Sequence, residues 1–371
     1  MIRWRAGTVT SLGRAWGGAQ ECRVRLAGSP GPLATDDDLG AEVSALAYRD
    51  LVGSPEAGDR VLLNTSALAR GLGTGGHALV VALPDRLPAD PPAGPGHLVK
   101  ARYTPLQAMV LGVDEQESPH HDLLADADDL AGLPVVVADL HSALPAIIAG
   151  VRADAPGARV GYVMSDGGAL PAAFSRAVVG LRAAGWLSTC ITTGQSFGGD
   201  LEAATVHTGL LAARLVARVD VVVVTQGPGN LGTGSRWGFS GVAAGDALNA
   251  VATLGGRAIA ALRVSQADPR PRHRGVSHHS LTAIGRVALA GCDVVVPDES
   301  GEFYEGVRAQ AKTLPARHRV VEVATAGLDA ALADCPVGLS TMGRGPAQDR
   351  ASFLVAAAAG RHAAALLNVG A

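Results

Sequence analysis

Two clusters in the chain have the residue types and spacing for acid–base or metal chemistry. Asp139-Leu140-His141 follows directly on the apolar run Leu133–Ala138. Residues two apart in extended chain share a face, so Asp139 and His141 can converge on one point. Such a pair suits a divalent metal, or a base oriented by a carboxylate. Ser118-Pro119-His120-His121-Asp122 adds two histidines, with Glu115 just before them. Glu115, His120, His121, Asp139 and His141 are therefore the candidate metal ligands. The bland alternatives are a helix cap at Asp139 and a solvated turn at the histidines. A further pair, His278-His279, lies in VSHHS before another helical stretch. Adjacent helical residues cannot both face one way, so one is expected to point into a site and the other to support it. With Asp166, which ends a third apolar run, the catalytic candidates are Asp139, His141, Asp166, His278 and His279.

Anion recognition is suggested by two loops. Gly227-Pro228-Gly229-Asn230-Leu231-Gly232-Thr233-Gly234 follows four consecutive valines. Its spacing matches GxGxxG, but glycines continue to Gly241 before a helix can start, and no acid ends the next strand at the required offset. A dinucleotide site is therefore disfavoured. A general anion-binding turn stands, with Gly227, Gly229, Asn230, Gly232, Thr233 and Gly234 as its residues. The alternative is a tight structural turn that packs Trp237 and Phe239 on a neighbour or on a second copy, in a homo-oligomer. Arg270, Arg272 and Arg274 alternate on the loop Asp268–Arg274 and suit a phosphate or carboxylate, or form a solvated basic loop.

The elements that position these residues follow from periodicity. Residues 1–83 carry short candidate strands at Arg3–Thr10, Glu21–Leu26, Glu42–Tyr48, Arg60–Asn64 and Ala78–Leu83. Turns such as Gly17-Gly18, Ser29-Pro30-Gly31 and Gly58-Asp59 separate them, as in a small barrel. Residues 84–98 are a linker, with five prolines between Pro84 and Gly96. Residues 99–371 alternate strand and helix. Strands are expected at Leu106–Val113, Leu133–Ala138, Arg159–Met164, Leu187–Thr193, Val219–Thr225, Arg257–Val264, Asp293–Pro297 and His318–Val323. Helices are expected at His121–Ala131, Leu144–Ala153, Pro171–Ala184, Leu201–Ala217, Val242–Leu254, Leu281–Ala290 and Glu302–Thr313. This rhythm implies a mainly parallel sheet covered on both faces. The fold class is α/β: a small β-barrel-like domain, then a doubly wound Rossmann-like domain. A closed (β/α) barrel is the competing arrangement. Strand after strand ends in acids, histidines or glycine turns, which a parallel sheet gathers at one edge, where ligands bind.

Composition narrows the class. The 371 residues are 48% hydrophobic and 18% charged, which suits compact domains with large cores. The net charge of −3 gives no reason to expect nucleic acid or an anionic membrane as partner. Cys22, Cys190, Cys292 and Cys335 form no CxxC pair and read as reduced thiols. No apolar run reaches the roughly 20 residues of a membrane helix, and no leader peptide is visible.

Five long motifs carry a resemblance. DEQESPHHD, ATVHTGLLAAR, TQGPGNLGTGSRWGFSG, ADPRPRHRGVSHHSLTA and LSTMGRG resemble the domain-of-unknown-function family 3866 of bacterial proteins. That family has no assigned function, so the resemblance carries over no catalytic residues; it implies a bacterial, cytoplasmic protein. From the residues themselves, the leading expectation is a metal-assisted enzyme of hydrolase type. It acts on a small anionic, in one form phosphorylated, molecule at the sheet edge. The alternative is a non-catalytic nucleotide- or metabolite-binding regulatory protein.

Overall fold

A computed structural model describes residues 2–27 and 39–367. The expected turn Ser29-Pro30-Gly31 lies outside them. Two compact units divide the chain: residues up to Gly94 with Ala101–Ala108, and Pro95–Lys100 with Met109 onward. Each has its own hydrophobic core.

The first unit is a closed five-stranded barrel of β1 (Trp4–Trp16), β2 (Ala19–Leu26), β3 (Glu42–Tyr48), β4 (Arg60–Asn64) and β5 (Ala78–Ala82), in the order β1-β2-β3-β5-β4. Alternating residues fill its interior, among them Val9, Val24, Val61 and Leu63. Gly17 and Gly18 both take positive φ, which a tight two-residue hairpin between β1 and β2 requires. β1 antiparallel to β4 closes the ring, so no edge strand remains open.

The second unit is an eight-stranded sheet of β6 (Pro134–Val137), β7 (Val160–Ser165), β8 (Thr189–Thr193), β9 (Leu201–Ala203), β10 (Val221–Gln226), β11 (Arg257–Ala261), β12 (Asp293–Asp298) and β13 (Arg319–Ala324). Every neighbouring pair is parallel, and the order is β9-β8-β7-β10-β6-β11-β12-β13. The sheet is open, which removes the closed (β/α) barrel. β6 and β10 are buried throughout because both faces are covered. The covering helices include α1 (Leu144–Asp154), α2 (Arg176–Ala183), α3 (Val206–Leu215), α4 (Ala243–Thr253) and the alanine-rich α5 (Arg350–Leu367). Among the described residues no helix is long and apolar enough to cross a membrane.

The structure corrects three expected elements. Leu106–Val113 supplies no strand to the main sheet; only Ala108–Val110 is extended, in a separate ribbon. The eighth strand is instead β9, three residues long, taken from the start of an expected helix. Its apolar residues run straight into α3, so strand and helix share one hydrophobic pattern. Of the expected helix His121–Ala131 only His121–Leu124 forms.

Candidate active site

The chain winds outward through β7, β8 and β9, then returns to insert β10 between β7 and β6. This reversal is a topological switch point, where an open parallel sheet leaves a crevice at its carboxyl edge. A cavity of about 370 Å³ occupies that position. The ends of β6, β7, β8 and β10 wall it (Asp139, Asp166, Gly194, Gln226), together with the first turns of α3 and α4. Thr205 caps α3 by accepting the Thr208 amide at 3.2 Å, and so fixes the turn beside the cavity.

Asp139 is 5% exposed and lines this cavity. Its Oδ2 is buried and has no hydrogen-bond partner among the described residues. Burial holds the carboxyl above its ordinary range, and the Arg263 guanidinium pulls it part of the way back. Gln226 Nε2 donates to the Asp139 carbonyl at 2.9 Å and to Asn230 Oδ1 at 3.0 Å, tying together two strand ends and the glycine turn.

His141 does not share this cavity. The chain enters a 3₁₀ turn at His141, so the extended register that would align it with Asp139 stops there. Its ring lines a second cavity, of about 290 Å³, with Gly229 and Asn230. Nδ1 lies 3.0 Å from Tyr162 Oη and Nε2 lies 2.7 Å from Ser175 Oγ, so both ring nitrogens are engaged. Burial pushes the imidazole down to about 4. Ser175 in turn caps α2, accepting from Val178 at 3.0 Å.

Asp166 lines the larger cavity and accepts from the Gln195 amide at 2.8 Å. Behind it lies an ion pair that sequence reasoning missed. Lys100 is fully buried, donates to the Gly194 and Ala203 carbonyls at 2.9 and 3.3 Å, and sits 3.2 Å from Glu202. Glu202 also accepts from Thr192 Oγ1 and the Gly198 amide. Burial pushes Lys100 down and Glu202 up, each opposed by the charge of the other. The one available signal was that Lys100 is one of only two lysines in the chain.

The glycine turn is built first for close approach. A Cβ on Gly168 would lie 2.1 Å from the Gly227 carbonyl oxygen, and one on Gly227 would lie 2.4 Å from that of Ala169. Two strand-end loops thus meet backbone to backbone, with Ala169 donating to the Pro228 carbonyl at 2.7 Å. The Gly227 amide donates to Ser165 and the Thr233 amide to Gly238, so neither points at a ligand. Gly232 bridges Phe239, and Gly234 turns at positive φ. Gly229 and Asn230 face the second cavity. Trp237 is exposed, whereas Phe239 is buried and stacks on His279 with ring centroids 3.8 Å apart.

The arginine loop divides. Arg270 forms a two-pronged pair with Asp268 at 2.9 and 2.8 Å, and Arg344 joins Asp268 to the buried Asp349. Arg272 and Arg274 are exposed, with His273 buried between them. His273 comes together with His278 and His279, ring centroids 4.3 to 5.0 Å apart. Their possible ligand atoms all lie within 4.8 Å of one another, the arrangement of this kind among the described residues. Burial, then Arg263, pushes His273 down to about 4 and His279 to about 3. Glu115, His120 and His121 lie elsewhere: Glu115 accepts from the Gly112 and His97 amides, and His121 Nδ1 pairs with the Asp114 carbonyl. The expected metal set of Glu115, His120, His121, Asp139 and His141 is therefore not assembled as one ligand group.

No curated protein and no solved structure matches the chain. A family model described as "Protein of unknown function (DUF3866)" matches residues 44–360, from the third barrel strand to the middle of α5. The chain belongs to the DUF3866 family.

Proposed function

We propose that the switch-point crevice is an active site of hydrolytic type, with Asp139 as its proton-handling carboxyl. The observation that carries this reading is Asp139, a residue lining the cavity whose Oδ2 is buried without a partner among the described residues. A buried polar atom left unpaired is costly, so such an atom at a cavity wall fits a group that meets a proton or a ligand there. A carboxyl raised by burial keeps its proton to higher pH than a solvated one, the property a general acid needs near neutrality.

The lining suggests how a substrate divides. Asp139, Asp166 and Asp246 line the larger cavity, and among the described residues no lysine or arginine lines it. A neutral or cationic portion suits that space. The smaller cavity lies at the amino end of α1 and presents Ser142, Asn230 and Ser340. A helix amino terminus favours negative charge, so the anionic end, a phosphate in a phosphorylated molecule, is assigned there.

Wild type and Asp139→Asn are to be compared on p-nitrophenyl phosphate, p-nitrophenyl acetate and a set of small amides. The expected result is turnover by wild type and a loss of roughly 10²–10⁴-fold in the variant, the range for a general acid–base group. Equal turnover in the two proteins removes Asp139 from the chemistry. Ligand-induced thermal stabilisation without turnover favours the regulatory binder instead.

A further inference from the structure

We propose that His273, His278 and His279 form a binding site for a transition-metal ion of the zinc class. The reading does not depend on the chemistry assigned to Asp139. His278 and His279 open a short helix, His278–Thr282, with their ring centroids 4.3 Å apart. His273 returns from the preceding loop to close the triangle, and all three candidate ligand atoms lie within 4.8 Å of one another. Ligands at the zinc–nitrogen distance of a tetrahedral site stand roughly 3.3–3.5 Å apart. Small ring rotations separate the two arrangements.

The surroundings fit ligand duty. Ser277 Oγ lies 2.8 Å from His273 Nδ1 and also accepts the His279 amide, which anchors one ring and the start of the helix. With Nδ1–H donated to Ser277, His273 Nε2 carries the lone pair a metal takes. His278 Nε2 is buried and has no partner among the described residues. Phe239 stacked flat on His279 holds the third ring. Three protein ligands leave a fourth position open, which belongs to reactive sites more than to structural ones.

One neighbouring side chain opposes a cation here. Arg263 Nη1 lies 3.2 Å from His279 Nδ1. A guanidinium only donates, so it takes the very lone pair a metal would use at that nitrogen. Metal and Arg263 therefore compete for the cluster. Arg272 also disfavours positive charge on His278, after burial, whereas Arg270 is already paired with Asp268.

The test is titration of tag-free, chelator-washed protein with Zn²⁺ and with Co²⁺, read by metal content and by the visible spectrum of bound cobalt. One ion per chain is expected, with the intense bands of a four-coordinate site. His278→Gln, at a half-buried position, should weaken binding by about 100-fold or more, and His273→Gln likewise. Arg263→Met should tighten binding about tenfold, the usual scale of an outer-shell change and a gain that misfolding cannot mimic. Asp139→Asn should keep the full metal content, so its hydrolytic role and this site fail separately. No binding by wild type overturns the proposal. So does unchanged binding in His278→Gln and His273→Gln, or weaker binding in Arg263→Met.

Discussion

Lys100 Nζ and the Glu202 carboxylate lie 3.2 Å apart in a space closed to solvent, behind the loop that carries Gly194 into the crevice. Lys100 also holds two strand-end carbonyls, so the pair fixes backbone as well as charge. Removing one partner leaves an uncompensated buried ion. Lys100→Met or Glu202→Gln alone should cost about 3–5 kcal/mol. The double variant should cost less than the two singles added, because no lone charge remains. Urea unfolding of the four proteins measures this, and simple additivity would show that the two side chains act independently.

The close crossing of α1 and α5 yields a second expectation. A Cβ on Gly150 would lie 1.9 Å from the Ala357 carbonyl oxygen, and one on Gly360 would lie 1.9 Å from that of Ile147. The contacts are with backbone, so no side chain can swing away. Gly150→Ala and Gly360→Ala should each lose about 1–3 kcal/mol or more. Gly306 sits exposed in Glu302–Ala311 with nothing within 4 Å of its Cβ position. Gly306→Ala should therefore gain up to about 1 kcal/mol of helix propensity. Thermal melts that rank the three variants otherwise would contradict the packing described.

What the sequence could reveal follows from the physics of each signal. Buried strands announce themselves through unbroken β-branched runs, so β6, β10 and β12 are legible to within two residues at each end. β9 is not, because three residues at a sheet edge cannot outweigh the helix they run into. Asp139 is legible as a crevice residue, since it ends a buried strand. Its separation from His141 is not, because nothing local marks the 3₁₀ turn that starts at His141. Of the histidine cluster, the His278-His279 pair is visible. His273 is masked by the arginines on either side, which suggest solvent, while the alternation that exposes them buries it. Lys100 and Glu202 are about a hundred residues apart, and no pattern links them.

Acid should unfold this protein early. His141, His273, His278, His279 and His318 are all held below their ordinary value, with burial the largest cause. For a histidine kept neutral, the unfolded chain binds the extra proton first. Its stabilising contribution is complete above the unfolded value near 6.5 and is lost as pH falls toward about 4. Asp139 and Glu202 are raised and work the other way, favouring the native state as pH falls toward the ordinary carboxyl range. Asp268, held low by its bond to Arg270, adds to the imidazole trend as pH nears the ordinary carboxyl range. Stability of the chelator-washed, metal-free protein measured in urea should fall steadily from pH 7 to pH 4.5, and a flat profile would mean that these rings are solvated.

The contact between the two glycine loops gives the expectation most specific to the crevice. Gly168 leaves no room for a Cβ, since the Gly227 and Gly229 carbonyl oxygens would lie 2.1 and 2.8 Å from it. Gly168→Ala must push the loop after β7 away from the loop after β10. The hydrogen bond from the Ala169 amide to Pro228 spans that seam at 2.7 Å, so it should be the first to open. Hydrogen exchange at Ala169 is expected to accelerate in the variant, with a stability loss of about 1–3 kcal/mol. Gln226 borders both cavities and holds Asn230 from the same loop, so turnover or ligand binding in the crevice should fall together with Ala169 protection. Faster exchange with the crevice unaffected would mean that the glycine turn only packs the sheet edge and takes no part in the site.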